Sequence, residues 1–144
     1  MSDKTLKDLA KAMKAIDFTM LSTYAANGAI AARPMSNNGD VEYDGDSWFF
    51  ATDDTTAVTD IEANPKVGLT LQGSKGLLGQ PGVFIAIEAA AELIRDKAIL
   101  DAHWTKDLDR WFDKGTDTPG LVLIKAHAER IHYWDGEDQG EVRP

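Results

Sequence analysis

The sequence predicts a mainly β protein of the α+β kind, an antiparallel barrel of about six to eight strands with short flanking helices. Short segments in which apolar and polar residues alternate are separated by tight turns rich in glycine, asparagine and aspartate. Most links between these segments are too short to hold the helix that connects parallel strands. Both observations favour a closed or nearly closed antiparallel barrel over a parallel α/β sheet.

The chain begins with a predicted helix and continues as strands. Leu6, Leu9 and Met13 recur at helical spacing and predict an amphipathic helix within residues 2–16. A period of two then predicts a hairpin around the turn Asn27-Gly28. The predicted strands cover residues 18–24, 29–35, 41–43, 47–52, 67–71, 83–93, 121–127 and 129–134.

Two further helices are predicted between these strands. A short one begins in the turn after Thr52 and ends before Pro65. A longer one covers residues 96–112, where Trp104 and Trp111 lie seven residues apart on one apolar face. We expect these tryptophans to pack in the core or in a dimer interface.

Composition predicts one domain over residues 1–144, with a polar tail at 135–144 that we expect to fray. The apolar runs are too short to cross a bilayer, and cysteine is absent, which excludes disulfides and thiolate metal sites. We therefore expect a soluble, cytoplasmic protein. The formal charge of −9 argues against nucleic acid as a partner.

The turn that follows the strand at 47–52 has the features of an anion site. The first amide N–H groups of a helix lack partners within the helix and, with the helix dipole, attract phosphate. Thr52, Thr55 and Thr56 add hydroxyl donors at the same place. The alternative is that Thr55 or Thr56 simply caps the helix.

Other kinds of site are not expected. The three histidines show no ligand spacing, so no metal site is predicted. Asp44-Gly45-Asp46 is interpreted as a hairpin turn, because the other ligands of a calcium loop are missing. Neither a nucleophile elbow nor a dinucleotide-binding glycine pattern occurs in the sequence.

Several segments, taken in order and spacing, resemble the general stress proteins of the pyridoxamine 5'-phosphate oxidase-like superfamily. The resemblance covers nearly the whole chain. Each segment is weak alone, and the joint order is what makes the resemblance specific. The segments are Ala32-Arg33-Pro34-Met35-Ser36, Trp48-Phe49-Phe50-Ala51-Thr52, Ile61-Glu62-Ala63-Asn64-Pro65-Lys66-Val67, Trp104 with Arg110-Trp111-Phe112, and Tyr133-Trp134-Asp135.

The resemblance implies an FMN-binding split barrel that forms a homodimer with two flavin sites at its interface. FAD is an alternative cofactor. It also implies a flavin-dependent oxidoreductase whose small substrate is unknown, and no catalytic acid or base can be named. The alternatives are a dimer that binds flavin without turnover, and a dimer in which flavin binding is weak or lost.

The resemblance assigns the second strand of the hairpin to the flavin. Arg33 would pair with the phosphate, because a guanidinium can form two parallel charge-assisted hydrogen bonds. The alternative for Arg33 is an ordinary salt bridge with an acidic neighbour. Pro34, Met35 and Ser36 would lie along the flavin ring, although Met35 is equally suited to filling the core.

The strand and turn that carry the threonines are assigned to the other end of the cofactor. In the resemblance, Phe50, Ala51 and Thr52 belong to the strand that meets the ribityl phosphate. Thr55 and Thr56 match the donors of the turn.

One position in this turn departs from the family pattern. Ala57 replaces the usual lysine, and the loss of one charge-assisted hydrogen bond, about 1.5 to 3 kcal/mol, would weaken FMN binding by roughly one to two decades. Lys75, in the glycine-rich loop 72–82, is a candidate to replace that charge. Trp134 is expected to approach the flavin of the partner subunit.

Overall fold

The computed structural model describes residues 4–37, 42–80 and 82–144. Three α-helices and two short 3-10 helices accompany seven strands in this part of the chain. The helices are α1 (Leu6–Lys14), α2 (Thr56–Ala63) and α3 (Lys97–His103), with 3-10 turns at Lys106–Arg110 and Gly115–Asp117. The strands are β1 (Phe18–Tyr24), β2 (Ile30–Ser36), β3 (Asp46–Thr52), β4 (Lys66–Gln72), β5 (Phe84–Ile94), β6 (Leu121–Asp135) and β7 (Asp138–Val142).

All seven strands belong to one antiparallel sheet. Its order is β2-β1-β4-β5-β6-β3, and β7 pairs with the second half of β6. The sheet curls around a single main core, and β2 and β3 are its two ends. The molecule is thus a split barrel, which confirms the predicted fold class. We call the gap between β2 and β3 the seam.

The inside of the barrel is filled by alternate residues of the strands. Leu21, Leu69, Ile87 and Ile131 are at most 2% exposed, and each side chain buried to this extent contributes about 1.5–3 kcal/mol. Helix α1 adds Leu9 and Met13 to this core, and α2 adds Val58 and Ile61. Both helices therefore pack against the barrel through their apolar faces.

Helix α1 is capped at its N-terminus and tied to the end of β2 at its C-terminus. Thr5 and Asp8 form a capping box at its N-terminus. The amide nitrogen of Asn37, just beyond β2, donates to the carbonyls of Met13 (3.0 Å) and Ile16 (2.8 Å) at the other end. These contacts tie the end of β2 to the helix and so shape one side of the seam.

A second, smaller core lies on the outside of β3 and β6. It contains Phe50, Leu100, Leu108, Leu121 and Leu123, with Trp104 packed against it. The predicted helix over 96–112 is wrong beyond His103, because Trp104 adopts an extended conformation that turns the chain towards this core. A 3-10 turn follows in place of further α-helix.

The C-terminal third also differs from its prediction. The two strands predicted at 121–127 and 129–134 are one strand, β6, which runs through a register shift opposite Glu88 and Ala89. The expectation that residues 135–144 fray is wrong, because 138–142 form β7 and pair with 131–135. Polar strands of this kind show little hydrophobic alternation, so only the pairing reveals them.

The remaining predicted elements agree with the structure to within a few residues at their ends. The exception is the short strand predicted at 41–43. Residues 38–41 lie outside the described part of the chain, and 42–43 are not in a strand. Within the described ranges, no helix has both the length and the apolar character needed to cross a bilayer.

Candidate functional site

A cavity of about 280 Å³ lies at the seam, between the end of β2 and the first half of β3. Residues from both ends of the sheet line this cavity, together with residues of α1 and of the segment that follows α3. Four of the residues predicted to contact a flavin are in its wall, namely Pro34, Met35, Ser36 and Phe50. The structure therefore brings residues 34–36, expected along the flavin ring, together with Phe50, which was expected in the strand that meets the ribityl phosphate. We call this space the seam cavity.

Much of the wall of the seam cavity is aromatic. Trp48 stacks on the His103 ring, with ring centroids 3.8 Å apart and an angle of 19° between the planes. Phe50 meets Trp104 edge to face at 5.0 Å. Trp111, 54% exposed, also lines the cavity. Aromatic walls of this kind suit a flat ring system, which gains contact area and stacking geometry.

Tyr43 supplies a polar group in this mostly apolar wall. Its hydroxyl is buried and has no hydrogen-bond partner within the part of the chain that the structure describes. Burial raises the pKa of the Tyr43 phenol well above its ordinary value, and the nearby charges of Asp46 and Asp44 add to this shift. The phenol therefore keeps its proton, and a buried phenol of this kind is a donor available to a ligand.

A charged group stands at the edge of the seam cavity. Asp46, one of its lining residues, has its Oδ1 2.7 Å from Nδ1 of His127. The Lys125 ammonium lies 4.0 Å from the other carboxylate oxygen and 5.3 Å from the centroid of Trp48. Asp46 is thus already engaged by basic groups on β6. Among the residues that the structure describes, no three His, Cys, Asp or Glu side chains come together as metal ligands.

The residues expected to hold the phosphate lie near the other end of β3 and do not line the seam cavity. We call Arg33, residues 52–56 and Asp60 the tail end. Arg33 Nη1 donates to Thr23 Oγ1 (2.8 Å) and to the Leu21 carbonyl (3.3 Å).

Arg33 also forms an ion pair. Its Nη2 lies 3.6 Å from Asp60 Oδ2, in α2, and the two side chains are only 20% and 10% exposed. Asp60 in turn accepts a 2.7 Å hydrogen bond from Thr23. The guanidinium therefore already has a carboxylate partner, the alternative considered for Arg33, and its role towards a phosphate stays a prediction.

The hydroxyls of Thr52 and Thr55 are similarly occupied. Thr55 is the N-cap residue of α2 by position, but its hydroxyl donates to the Thr52 carbonyl (2.8 Å) and makes no capping bond. The Thr52 hydroxyl donates to the carboxylate of Asp54. These side chains hold the turn together through their own hydrogen bonds. Ala51 is buried in the main core, so its side chain faces away from this surface.

Two expectations about missing charge are corrected by the structure. Ala57 is 4% exposed and packs in the main core, so its side chain does not face an open phosphate site. The exposed residue at the start of α2 is Thr56.

The turn before α2 lies near the start of β4, because Asp53 pairs with Arg95, just beyond the end of β5, and Lys66 lies opposite Ala90 of β5. Lys75 follows the other end of β4, about 20 Å away along the strand. Lys75 therefore does not supply the missing charge within one protomer.

Trp134 lies away from the seam cavity of its own protomer. It is 43% exposed on the outer surface of the sheet and stacks on His132, with centroids 6.0 Å apart. Its neighbours on a second, shallower depression include Phe18, Met20 and Phe84. Phe18 lines both spaces, so this outer surface is continuous with the seam cavity.

The structure adds residues to the site that the sequence did not indicate as ligand contacts. They include Tyr43, Trp48 and His103. Trp48 could have been found, because it is two residues from Phe50 in a strand and so shares its face. The positions of Tyr43 and His103 follow from the packing of distant segments, and no local pattern indicated them.

A split barrel with an aromatic cavity at its seam defines this molecule as a protein of the split-barrel class that resembles pyridoxamine 5'-phosphate oxidases. More specifically, the chain belongs to the family described as pyridoxamine 5'-phosphate oxidase like, whose profile matches residues 4–143.

Individual relatives agree with this assignment. The chain is 27% identical over 89 residues to General stress protein 26 of Bacillus subtilis, covering 62% of this chain and 61% of the relative. The match therefore spans about three-fifths of the length of that curated relative.

Solved structures share the fold. General Stress Protein 26 from Bacillus anthracis superposes with a TM-score of 0.74 at 24% identity, covering 96% of this chain and 98% of that one. A protein from Mycobacterium smegmatis described as heme binding gives a TM-score of 0.78 at 11% identity, covering 99% of this chain and 59% of that one. At such identities these likenesses show the fold alone.

Proposed function

We propose that this protein is a flavin-binding homodimer that works as an oxidoreductase on a small substrate, with the flavin ring in the seam cavity. One observation carries the proposal. Residues 34–36 and Phe50, matched independently to the flavin-binding strands of the family, converge on one aromatic cavity. Its volume of about 280 Å³ lies just below the usual range for ligand pockets, about 300–1,000 Å³, and so suits a ring system without its side chain.

The ring end of the site fits a flavin. Electron transfer is the chemistry that a flavin supplies when it is bound. Met35 and Phe50 provide apolar walls that exclude water, and Trp48 with His103 provides a flat stacked surface. Tyr43, protonated and without a partner in the described residues, can donate to a polar atom of the ring. The tail end fits a phosphate less well, because Arg33, Thr52 and Thr55 are already engaged.

The outer surface of the sheet is suited to contact a second copy of the chain. Phe18, Met20, Phe84 and Trp134 are 40–50% exposed there, an unusual concentration of large apolar groups for a monomer. A twofold axis through this surface would use the same patch on both copies. Because the patch reaches the seam cavity at Phe18, such a dimer would bring the partner's surface towards each cavity.

The first test is whether the purified protein binds a flavin. We expect quenching of flavin fluorescence on titration, and a loss of affinity of at least about tenfold when Met35→Asp places a charge in the cavity wall. Ile99→Asp, on the exposed surface of α3, is the control and should bind as the wild type does. Equal affinities for all three proteins would remove the seam cavity as the site.

The second test concerns the dimer. Phe84 and Ile99 are 40% and 39% exposed, so the same substitution by aspartate compares two equally exposed apolar positions. We expect Phe84→Asp to shift the protein towards monomer in sedimentation velocity and Ile99→Asp to leave it unchanged. A monomeric wild type would reject the proposed assembly.

A second candidate function is flavin binding without turnover. It is favoured by the name of the Bacillus subtilis relative, which refers to stress and not to a reaction. Anaerobic mixing of the flavin-loaded protein with NADH or NADPH separates the two, since an oxidoreductase should show bleaching of the flavin absorption band. A haem absorption band in the purified protein would instead favour the ligand of the Mycobacterium smegmatis neighbour. In each case we place the protein in the cytoplasm.

A further inference from the structure

The segment that contains the tail end is strongly acidic. Between Arg33 and Lys66 the sequence contains eight aspartates and glutamates and neither lysine nor arginine. Four of these carboxylates, those of Asp53, Asp54, Asp60 and Glu62, lie in the turn before α2 or in α2 itself. A phosphate placed at the start of α2 would be repelled by the negative charges of these carboxylates.

Two arginines approach these carboxylates, and both form ion pairs with them. Arg33 pairs with Asp60 at 3.6 Å. Arg95 pairs with Asp53 at 2.8 Å and with Glu62 at 3.4 Å. Two guanidinium groups against four carboxylates leave a charge of −2 in this group. A phosphate dianion would have to add two further negative charges or displace existing partners.

Asp54 takes one of the donors expected for a phosphate. It directly precedes the N-cap Thr55 of α2, and its carboxylate accepts a hydrogen bond from the Thr52 hydroxyl. A phosphate at the helix start would therefore compete with Asp54 for this donor and would be repelled by its negative charge.

We infer that this site prefers a flavin whose side chain ends in a neutral hydroxyl group, such as riboflavin, over one that ends in a phosphate. The inference rests on the proposed binding of a flavin ring in the seam cavity. Hydroxyl groups can donate to the carboxylates of Asp53 and Asp54, whereas a phosphate dianion has only acceptors to offer them. The tail end therefore determines specificity and the seam cavity supplies binding.

The direct test compares the dissociation constants of riboflavin and FMN by fluorescence titration, at low salt and at about 1 M salt, where the screening length falls to about 3 Å. We expect riboflavin to bind more tightly than FMN at low salt, and only FMN to bind more tightly as salt rises. Equal affinities, or tighter binding of FMN, at low salt would overturn the inference alone. If neither binds, the proposed function fails and the inference with it.

Two variants locate the effect. Asp54→Asn removes a charge but keeps an acceptor for the Thr52 hydroxyl, and Thr56→Lys adds a cation at an exposed position. We expect each to tighten FMN binding threefold to tenfold, and neither to tighten riboflavin binding.

The control is Glu137→Gln, which removes one charge after the far end of β6, up to about 45 Å along that strand from the residue opposite Thr52. It should leave both affinities unchanged. Variants at 54 and 56 that leave FMN affinity unchanged, or that shift both ligands equally, would overturn the assignment of specificity to the tail end.

Discussion

The seam cavity and the tail end lie near opposite ends of β3 and are built from opposite chemistry. The cavity has aromatic walls and a neutral phenol from Tyr43. The tail end has carboxylates that are bound to arginine and threonine side chains of the same chain. Under the proposed function, the flavin ring would meet an apolar surface and its side chain a strongly charged one. Substitutions in the seam cavity and at the tail end should therefore have different effects on stability and on flavin binding.

The largest effect is expected at Phe50, which belongs to both the seam cavity and the second core. It is 9% exposed and contacts Trp104 edge to face. Phe50→Ala should lower the free energy of unfolding by about 3 kcal/mol, because it removes a buried aromatic ring. Thr55→Val, at the tail end, should cost about 1 kcal/mol or less, since it loses one hydrogen bond to a carbonyl. Urea denaturation measures both, and equal costs would contradict the comparison.

A smaller effect is expected from the ion pair between Arg33 and Asp60. Arg33→Met should lower the free energy of unfolding by about 2 kcal/mol, because it leaves a nearly buried carboxylate without its cation. The double variant Arg33→Met with Asp60→Asn should regain part of this loss. A double-mutant cycle by urea denaturation should give a coupling energy of at least about 1 kcal/mol. Additive losses would show that Arg33 is free for another partner.

Tyr43→Phe tests the contribution of the seam cavity alone to flavin binding. The phenol has no partner in the described residues, so its removal should leave stability nearly unchanged. Flavin affinity should fall about threefold to tenfold, the value of one neutral hydrogen bond. Titration of riboflavin measures this change, with Tyr24→Phe as the control on exposed β1. Unchanged affinity would remove Tyr43 from the ring-binding group.

The smallest effect concerns pH. The pKa of the Tyr43 phenol is raised in the folded protein, chiefly by burial, so folding favours the protonated form. The associated stability is complete below the ordinary tyrosine pKa of about 10 and is lost as pH rises above it. Between about pH 9 and pH 10.5 the wild type should lose up to about 1 kcal/mol more than Tyr43→Phe. Parallel pH dependences would contradict the raised pKa.

The strand residues in the wall of the seam cavity were partly predictable, and the ion pairing at the tail end was not. Residues 34–36 and Phe50 lie in strands whose alternation shows which residues share a face. Whether Arg33 is ion-paired depends on Asp60. That residue is 27 positions further along the chain and comes near Arg33 only when α2 packs on the barrel. The burial of Ala57 depends on the same packing. A helix of eight residues is too short for its pattern alone to establish which face is covered.

The sequence by itself determined the class of fold, the order of most strands and the family, because alternation, turn residues and motif order are local properties of the chain. Only the tertiary structure decided that β7 pairs with β6, that the chain turns at Trp104, and which carboxylates hold Arg33 and Arg95. These outcomes depend on contacts between residues far apart in sequence. Charge can be counted along a chain, but whether a charged group is already paired depends on what folding places beside it.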